Sequence, residues 1–345
     1  YLHARGRTLG LPISGTFELT PRCNFHCRMC DVHLTAEEQR SRGAELSAER
    51  WLAREIVAVR ERGGSHRNAD ALHAVAPEDV IPAIEDAEAV FTSKVKFTKA
   101  VIDAAPKLKF IGVTATGYDN IDLAAAKARG IAVCNVPAYS TESVAQHTFA
   151  LILELTNHVG RYTARVREHQ WENAPDFTFI DRPLLQLSGR SLGIIGYGSI
   201  GRRVAQIAEA FGMTVHIYSK EPEAAVQSDM LTLHCPATPD NKGFVNKDFI
   251  SKMKDGAILI NTARGALLNE DDVADALKSG KLAAAAVDVV NGEPPRKGHP
   301  FIGLENLYIT PHIAWSTKEA RAVITKTSAA NLKSFLTGGD LNRIV

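Results

Sequence analysis

Residues 192–201 read Leu-Gly-Ile-Ile-Gly-Tyr-Gly-Ser-Ile-Gly, a short apolar run that meets glycines at Gly196, Gly198 and Gly201 in a G-x-G-x-x-G spacing. In a strand–turn–helix of this kind the first glycine permits the tight reversal. The second lets backbone approach a pyrophosphate, and the third lets the helix pack closely on its strand. A helix start there adds free N–H groups and a positive dipole end. A glycine triplet alone could belong to another α/β loop, so the flanks decide. Ser191–Ile195 carries no charge and has the length of a buried parallel strand. After the turn, Ile200, Val204, Ile207, Ala208 and Phe211 recur at helical spacing, leaving Arg202, Arg203, Gln206 and Glu209 for the other face. Residues 213–218 read as the next strand and complete a βαβ unit.

Outward from this unit, apolar strands alternate with helices in the α/β manner. Strands are predicted at 131–136, 230–234, 257–261, 283–289 and 307–310. Residues 114–120 form a glycine-containing loop, and Ser140 or Thr141 caps a long apolar helix to about residue 158. Asn269 caps a helix bearing Val273, Ala276 and Leu277, and a last helix spans about 317–337. Residues 60–70 are polar, contain glycine and lack periodicity, which suggests a boundary. Upstream, 16–19 reads as a strand, and Leu52, Ile56 and Val59 mark one face of a helix capped near Ser47.

At 345 residues the chain has room for two domains. A formal net charge of +1 lacks the basic excess of a nucleic-acid binder, so no nucleic-acid partner is expected. No apolar run nears the roughly 20 residues of a membrane helix, so no membrane partner is expected either. No secretory signal is visible, and Tyr1 in place of Met is what a fragment would show. Five cysteines, three of them between positions 23 and 30, do not form a disulfide framework and fit a reducing cytoplasm.

Three side chains stand out by their contexts: Arg264 in Asn-Thr-Ala-Arg-Gly, Glu293 in Asn-Gly-Glu-Pro-Pro and His312 in Thr-Pro-His-Ile-Ala-Trp. Each follows a predicted strand, on the side of a parallel sheet where ligands bind. Singly, each reads more simply as an arginine paired on the surface, a glutamate in a turn before Pro294 or a histidine capping or filling a loop. Together they supply what reduction of a 2-oxo acid needs. A guanidinium holds the carboxylate, and an imidazolium beside a carboxylate protonates the developing alkoxide.

With these contexts, Ala-Thr-Gly-Tyr-Asp-Asn-Ile-Asp at 115–122, Val-Pro-Ala-Tyr-Ser-Thr-Glu-Ser-Val-Ala-Gln at 136–146 and Pro-Asp-Phe at 175–177, residues 71–345 resemble the D-isomer-specific 2-hydroxyacid dehydrogenases. The glycerate dehydrogenase or hydroxypyruvate reductase branch is the nearest. The resemblance implies two doubly wound, Rossmann-like α/β domains with the active site in the cleft between them. The substrate domain would comprise 70–187 plus 311–345, and the NAD(P)-binding domain 188–310. Residues 1–62 would be an atypical N-terminal extension. Arg264 would bind the substrate carboxylate together with Ala115, Thr116 and Gly117, His312 would be the general acid/base and Glu293 its partner. Asp288 would lie near the nicotinamide amide, with Trp315 as a pocket wall. Gly196, Tyr197, Gly198, Ser199, Ile200, Gly201, Ser219, Lys220, Cys235, Pro236, Thr262, Ala263, Asp288 and His312 make up the cofactor-facing set. Small 2-oxo acids such as hydroxypyruvate or glyoxylate would be the substrates, and a homodimer, formed near the long helix, is expected. The alternative is a dinucleotide-binding protein whose chemistry has lapsed.

The sequence departs from that family in three places. Where an NAD site usually carries Asp or Glu after the second strand, this chain has Ser219 and Lys220, which leaves NAD or NADP open. The family's third strand and its helix are missing, since only residues 221–227 separate the flanking strands, so domain 188–310 is shortened after 220. Residues 218–230 span at most about 40 Å, enough to cross but without the usual helix, which predicts an exposed edge and a weakened adenine pocket. The family's first strand, expected before Ala71, is missing as well. Instead Gly15–Cys30 resembles the opening of a truncated radical S-adenosylmethionine enzyme. Its C-x3-C-x2-C spacing fits Cys23, Cys27 and Cys30 as ligands of a [4Fe-4S] cluster. Zinc on these thiolates with His26 or His33, or a vestigial fused fragment with reduced thiols, are the other readings.

Overall fold

The computed structural model describes residues 56–61, 67–72 and 77–345, with side chains from Val80 onward. They divide into two units, one running to Tyr139 and including Lys318–Val345, the other Ser140–Thr317. The first unit contains β1 (Ile56–Glu61), β2 (Arg67–Leu72), α1 (Pro77–Ile84), β3 (Ala89–Thr92), α2 (Lys99–Asp103), β4 (Phe110–Val113), α3 (Leu123–Ala128) and β5 (Ala132–Cys134). Among the described residues its sheet runs β2-β1-β3-β4-β5. β3, β4 and β5 are parallel, and β1 is antiparallel to both neighbours. Thr98 and Asp122 cap α2 and α3 by accepting from Val101 N and Ala125 N, the two side-chain caps the residue types favour. Val80, Ile84, Val101 and Ile102 of the helices pack with Val90, Ile111 and Val133 of the strands.

Three expectations for the front of this unit are corrected. Ile56 and Val59 lie on a strand, not on a helix face: β-branched Ile56, Val57 and Val59 favour extended backbone, and β1 gains partners on both sides. A strand does stand before Ala71 beside β3, although it runs antiparallel. The described residues of the polar stretch 60–70 are not irregular: Arg60 and Glu61 end β1, and residues 67–70 open β2 and pair with it. The strand at 16–19, the cap near Ser47, Leu52, Cys23, Cys27, Cys30, His26 and His33 lie outside the described residues.

The second unit contains α4 (Thr141–Asn157), α5 (Val159–Arg167), β6 (Ser191–Ile195), α6 (Ser199–Ala210), β7 (Thr214–Ile217), α7 (Pro222–Val226), β8 (Met230–Leu233), α8 (Lys247–Ser251), β9 (Ala257–Asn261), α9 (Glu270–Ser279), β10 (Leu282–Val287) and β11 (Leu307–Ile309). The chain then returns to the first unit as α10 (Lys318–Leu336), whose Phe335 ring lies 5.2 Å from that of Phe110 on β4. The second sheet runs β11-β10-β9-β8-β6-β7 with every pairing parallel. Strand periodicity sends alternate residues to separate cores. Leu192, Ile194, Ile258 and Ile260 join Phe149, Ile152 and Leu155 of α4 and Val204 of α6. Leu231, Leu233 and Leu259 join Val273 and Leu277 of α9 and Phe301. Each such buried side chain contributes about 1.5–3 kcal/mol of transfer free energy.

Because α4 shares a core with β6, the division falls before α4 rather than at 187/188, and after Thr317 rather than at 310/311. Ser140 occupies the cap position of α4 without a side-chain cap bond. The shortened connection leaves β7 paired only with β6 among the described residues, a sheet edge as expected. It does not lack a helix, however: Pro222 starts the short α7, which packs on β6 and β7.

Candidate active site

The turn after β6 is shaped by its glycines. Gly196 has φ +96°, and a Cβ there would overlap the His234 carbonyl at the end of β8. A Cβ on Gly201 would overlap the carbonyl oxygen of Gly196, so the third glycine sets how closely α6 approaches its strand. Gly198 differs, since a Cβ there would meet nothing within 4 Å. Open backbone at Gly198, followed by the N–H groups of Ser199, Ile200 and Gly201 that lack intrahelical acceptors, fits a dinucleotide pyrophosphate at the start of α6. Across the turn His234 bonds Thr232 at 3.0 Å, and burial pushes its imidazole down to about 3, so it stays neutral. Burial pushes the neighbouring Cys235 thiol up, which keeps it protonated at neutral pH, and Pro236 is exposed.

The ribose end is simpler. Ser219 and Lys220 are exposed in the turn after β7, and the Lys220 ammonium stands 5.9 Å from the centre of the Tyr197 ring. The nearest acidic residue in sequence, Glu221, is engaged by His216 Nδ1 at 2.7 Å.

Arg264, Glu293 and His312 follow β9, β10 and β11, three adjacent parallel strands, at their carboxyl ends. Arg264 is placed by an Asx turn: Asn261 Oδ1 accepts from Ala263 N (3.0 Å) and Asn261 Nδ2 donates to Arg264 O (2.9 Å). Gly265 then presses so closely on Val290 that a Cβ would overlap its carbonyl, which ties the Arg264 loop to the end of β10. Thr262, buried beside Ala263, shares a 3.0 Å hydrogen bond with Thr148 of α4. His312 Nδ1 meets Glu293 Oε2 at 2.6 Å, while Glu293 Oε1 accepts from Val290 N at 3.2 Å. Both partners keep 28–30% of their side-chain surface exposed, so the pair is accessible to a small substrate.

His312 has φ +54°, a left-handed conformation that costs a residue with Cβ about 1–2 kcal/mol. Asp288 offsets that cost. Its carbonyl accepts from His312 N (2.8 Å), Oδ1 accepts from the Thr310 hydroxyl (2.6 Å) and Ile313 N (2.9 Å), and Oδ2 accepts from Ala314 N (2.8 Å). With 1% of its surface exposed, Asp288 serves chiefly as the clamp of the 310–314 loop, leaving acceptor capacity only on Oδ2 for a ligand amide. The clamp does not show in the sequence, because all its donors but the Thr310 hydroxyl are backbone groups. Asn261 was legible in principle, since an Asn ending a strand before a tight loop is an Asx-turn signal. Trp315 is half-buried next to this loop.

Ala115, Thr116 and Gly117 belong to the first unit, in the loop after β4. Thr116 Oγ1 donates to Val136 O (2.9 Å), Asn135 Nδ2 donates to Thr116 O (2.8 Å), and Val136 N donates to Ala115 O (3.0 Å), so this loop is held rigidly with its neighbour.

Residues 149–314 match the family model described as D-isomer specific 2-hydroxyacid dehydrogenase, NAD binding domain. A hydroxypyruvate reductase of Blautia hydrogenotrophica is 45% identical over 280 residues, covering 77% of this chain and 87% of that protein. A glycerate dehydrogenase of Methylorubrum extorquens is 37% identical over 294 residues, covering 82% and 94%. Among solved structures, D-lactate dehydrogenase from Aquifex aeolicus, complexed with NAD and lactic acid, superposes with a TM-score of 0.68 at 32% identity, covering 77% and 89%. The chain belongs to the family of D-isomer specific 2-hydroxyacid dehydrogenases.

Proposed function

We propose that this protein is an NAD(P)-dependent reductase of small 2-oxo acids of the hydroxypyruvate or glyoxylate kind, yielding D-2-hydroxy acids. The observation that carries this reading is the 2.6 Å His312–Glu293 pair, set beyond the same sheet end as Arg264. With Nδ1–H given to Glu293, His312 presents Nε2–H to the carbonyl oxygen, and the carboxylate partner stabilises the imidazolium until that proton is transferred. Arg264 holds the substrate carboxylate with its guanidinium and so orients the keto carbon. The Gly196–Gly201 turn, with Thr262 and Ala263 at the end of β9, holds the cofactor. Reduced nicotinamide, when bound, supplies the hydride.

The lack of an acid at Ser219, with Lys220 beside it, supports use of NADPH as well as NADH. The exposed apolar side chains of α5 and the segment after it support a homodimer. Titration of NADH and of NADPH against hydroxypyruvate, followed by the nicotinamide absorbance and by chiral analysis of the product, tests the reading. Turnover to D-glycerate with both cofactors is expected. Cofactor binding without turnover of any small 2-oxo acid would instead leave a dinucleotide-binding protein.

A further inference from the structure

Behind the His312 loop lies a hydrogen-bonded chain that starts on another element. His147, on the buried side of α4, places Nε2 2.9 Å from Thr310 Oγ1, and Thr310 Oγ1 stands 2.6 Å from Asp288 Oδ1. A threonine hydroxyl has one proton. The shorter contact, to a carboxylate with no proton of its own, takes it, so Thr310 can only accept from His147, whose Nε2 must carry hydrogen. The 3.5 Å separation of His147 Nε2 from Asp288 Oδ1 adds a direct attraction if the ring is charged. Every link then points toward Asp288, whose two oxygens hold Ile313 N and Ala314 N and whose carbonyl holds His312 N. We propose that His147 and Thr310 are positioning residues for the proton donor, orienting the Asp288 carboxylate so that the 310–314 loop keeps His312 in its left-handed conformation and its ring against Glu293. The α4 residue thereby fixes a group it does not touch. Loss of the donor would let Thr310 turn away, leaving Oδ1 to Ile313 N alone and loosening the loop, while Arg264 and the glycine turn stay in place.

The kinetic arm of the test rests on the reductase reading, and the spectroscopic arm does not. In the full-length chain, His147→Leu and Thr310→Val remove the links, and His147→Gln and Thr310→Ser restore a donor and a hydroxyl. The low-field proton of His312 Nδ1–H, identified by its disappearance in His312→Gln, reports the pair directly by NMR. His147→Leu and Thr310→Val are expected to lower kcat by about tenfold or more with KM for hydroxypyruvate changed less than about threefold. The same two variants should broaden or lose the low-field resonance without a matching loss of melting temperature. His147→Gln and Thr310→Ser should recover kcat to within about threefold of the parent protein and restore the resonance. Retention of the resonance and of kcat in His147→Leu and Thr310→Val would overturn the proposal. So would Gln and Ser variants as impaired as Leu and Val, since packing would then be the whole effect. If His147→Leu does not fold, the Thr310 pair decides alone. If the parent protein turns over no 2-oxo acid, the reductase reading fails while the resonance still decides the positioning role.

Discussion

His312 is a residue whose backbone, partner and loop must all be right at once. The left-handed φ, the 2.6 Å bond to Glu293 and the Asp288 clamp each constrain it. His312→Gln removes the proton donor but keeps a polar side chain of similar reach, so turnover should fall by about 10²–10⁴-fold while dinucleotide binding, measured by calorimetry, stays near the parent value. Unchanged turnover would remove His312 from the chemistry. Arg264→Ala tests a different contact. Loss of a charge-assisted clamp on the substrate carboxylate should lower kcat/KM on the order of 10²-fold, with KM rising. An unaltered KM for hydroxypyruvate would reassign the carboxylate site. These residues were legible in the sequence because their types and their positions after strands suggest the chemistry directly. The second use of Asp288 was not, since a carboxylate bonded to the N–H groups of residues 313 and 314 leaves no mark in residue identity. Side-chain–backbone bonds are a property of the loop's path.

At the scale of elements, legibility followed burial. The second sheet's strands were readable because β6, β8 and β9 are apolar over most of their length and sit between helices on both faces. β1 was not, because the i, i+3 spacing of Ile56 and Val59 marks one face of a helix but opposite faces of a strand, and only its pairing with β2 and β3 selects the strand. The start of the nucleotide unit depends on a charge. Asp229, just before β8, accepts from the N–H and hydroxyl of Ser191 (2.8 and 3.0 Å) and from Lys254 (2.7 Å), joining the starts of β6 and β8. Burial pushes its carboxyl up, but the bonds from Lys254 and Ser191 outweigh burial and hold it down at about 2. Its folded pKa lies below the unfolded value of about 4, so its stabilisation is complete above that value and is lost as pH falls through about 2. Asp229→Asn should therefore cost about 2 kcal/mol in urea unfolding at pH 7. The gap between variant and parent should close progressively below pH 4. A gap that persisted unchanged in acid would mean the contacts, not the charge, carry the effect.

For the molecule as a whole, the surface of the second unit is the feature its own fold leaves unexplained. After α4 the chain turns into α5 and a long irregular segment before β6, and this stretch is anchored from within. Asp181 binds Arg161 at 2.5 Å and Arg165 at 2.8 Å, Tyr162 accepts from Asp181 N at 3.2 Å, and Trp171 Nε1 donates to Phe177 O at 2.9 Å. Those bonds hold in place side chains that water does not favour: Phe177 is 84% exposed, Ile180 66%, Val159 61% and Trp171 54%. Large apolar groups displayed along one segment by a polar framework are what an interface offers, since a monomer gains nothing by fixing them outward. In the homodimer proposed above, a two-fold contact would bury the same groups from both sides. Sedimentation should then give twice the chain mass. The double substitution Phe177→Asp with Ile180→Asp places charge on the two most exposed of these side chains without disturbing a buried residue, so it should yield monomers whose melting transition stays cooperative. Were the double variant to sediment as the parent does, the dimer contact would have to lie elsewhere on the molecule, and the exposed groups of 159–184 would need another partner.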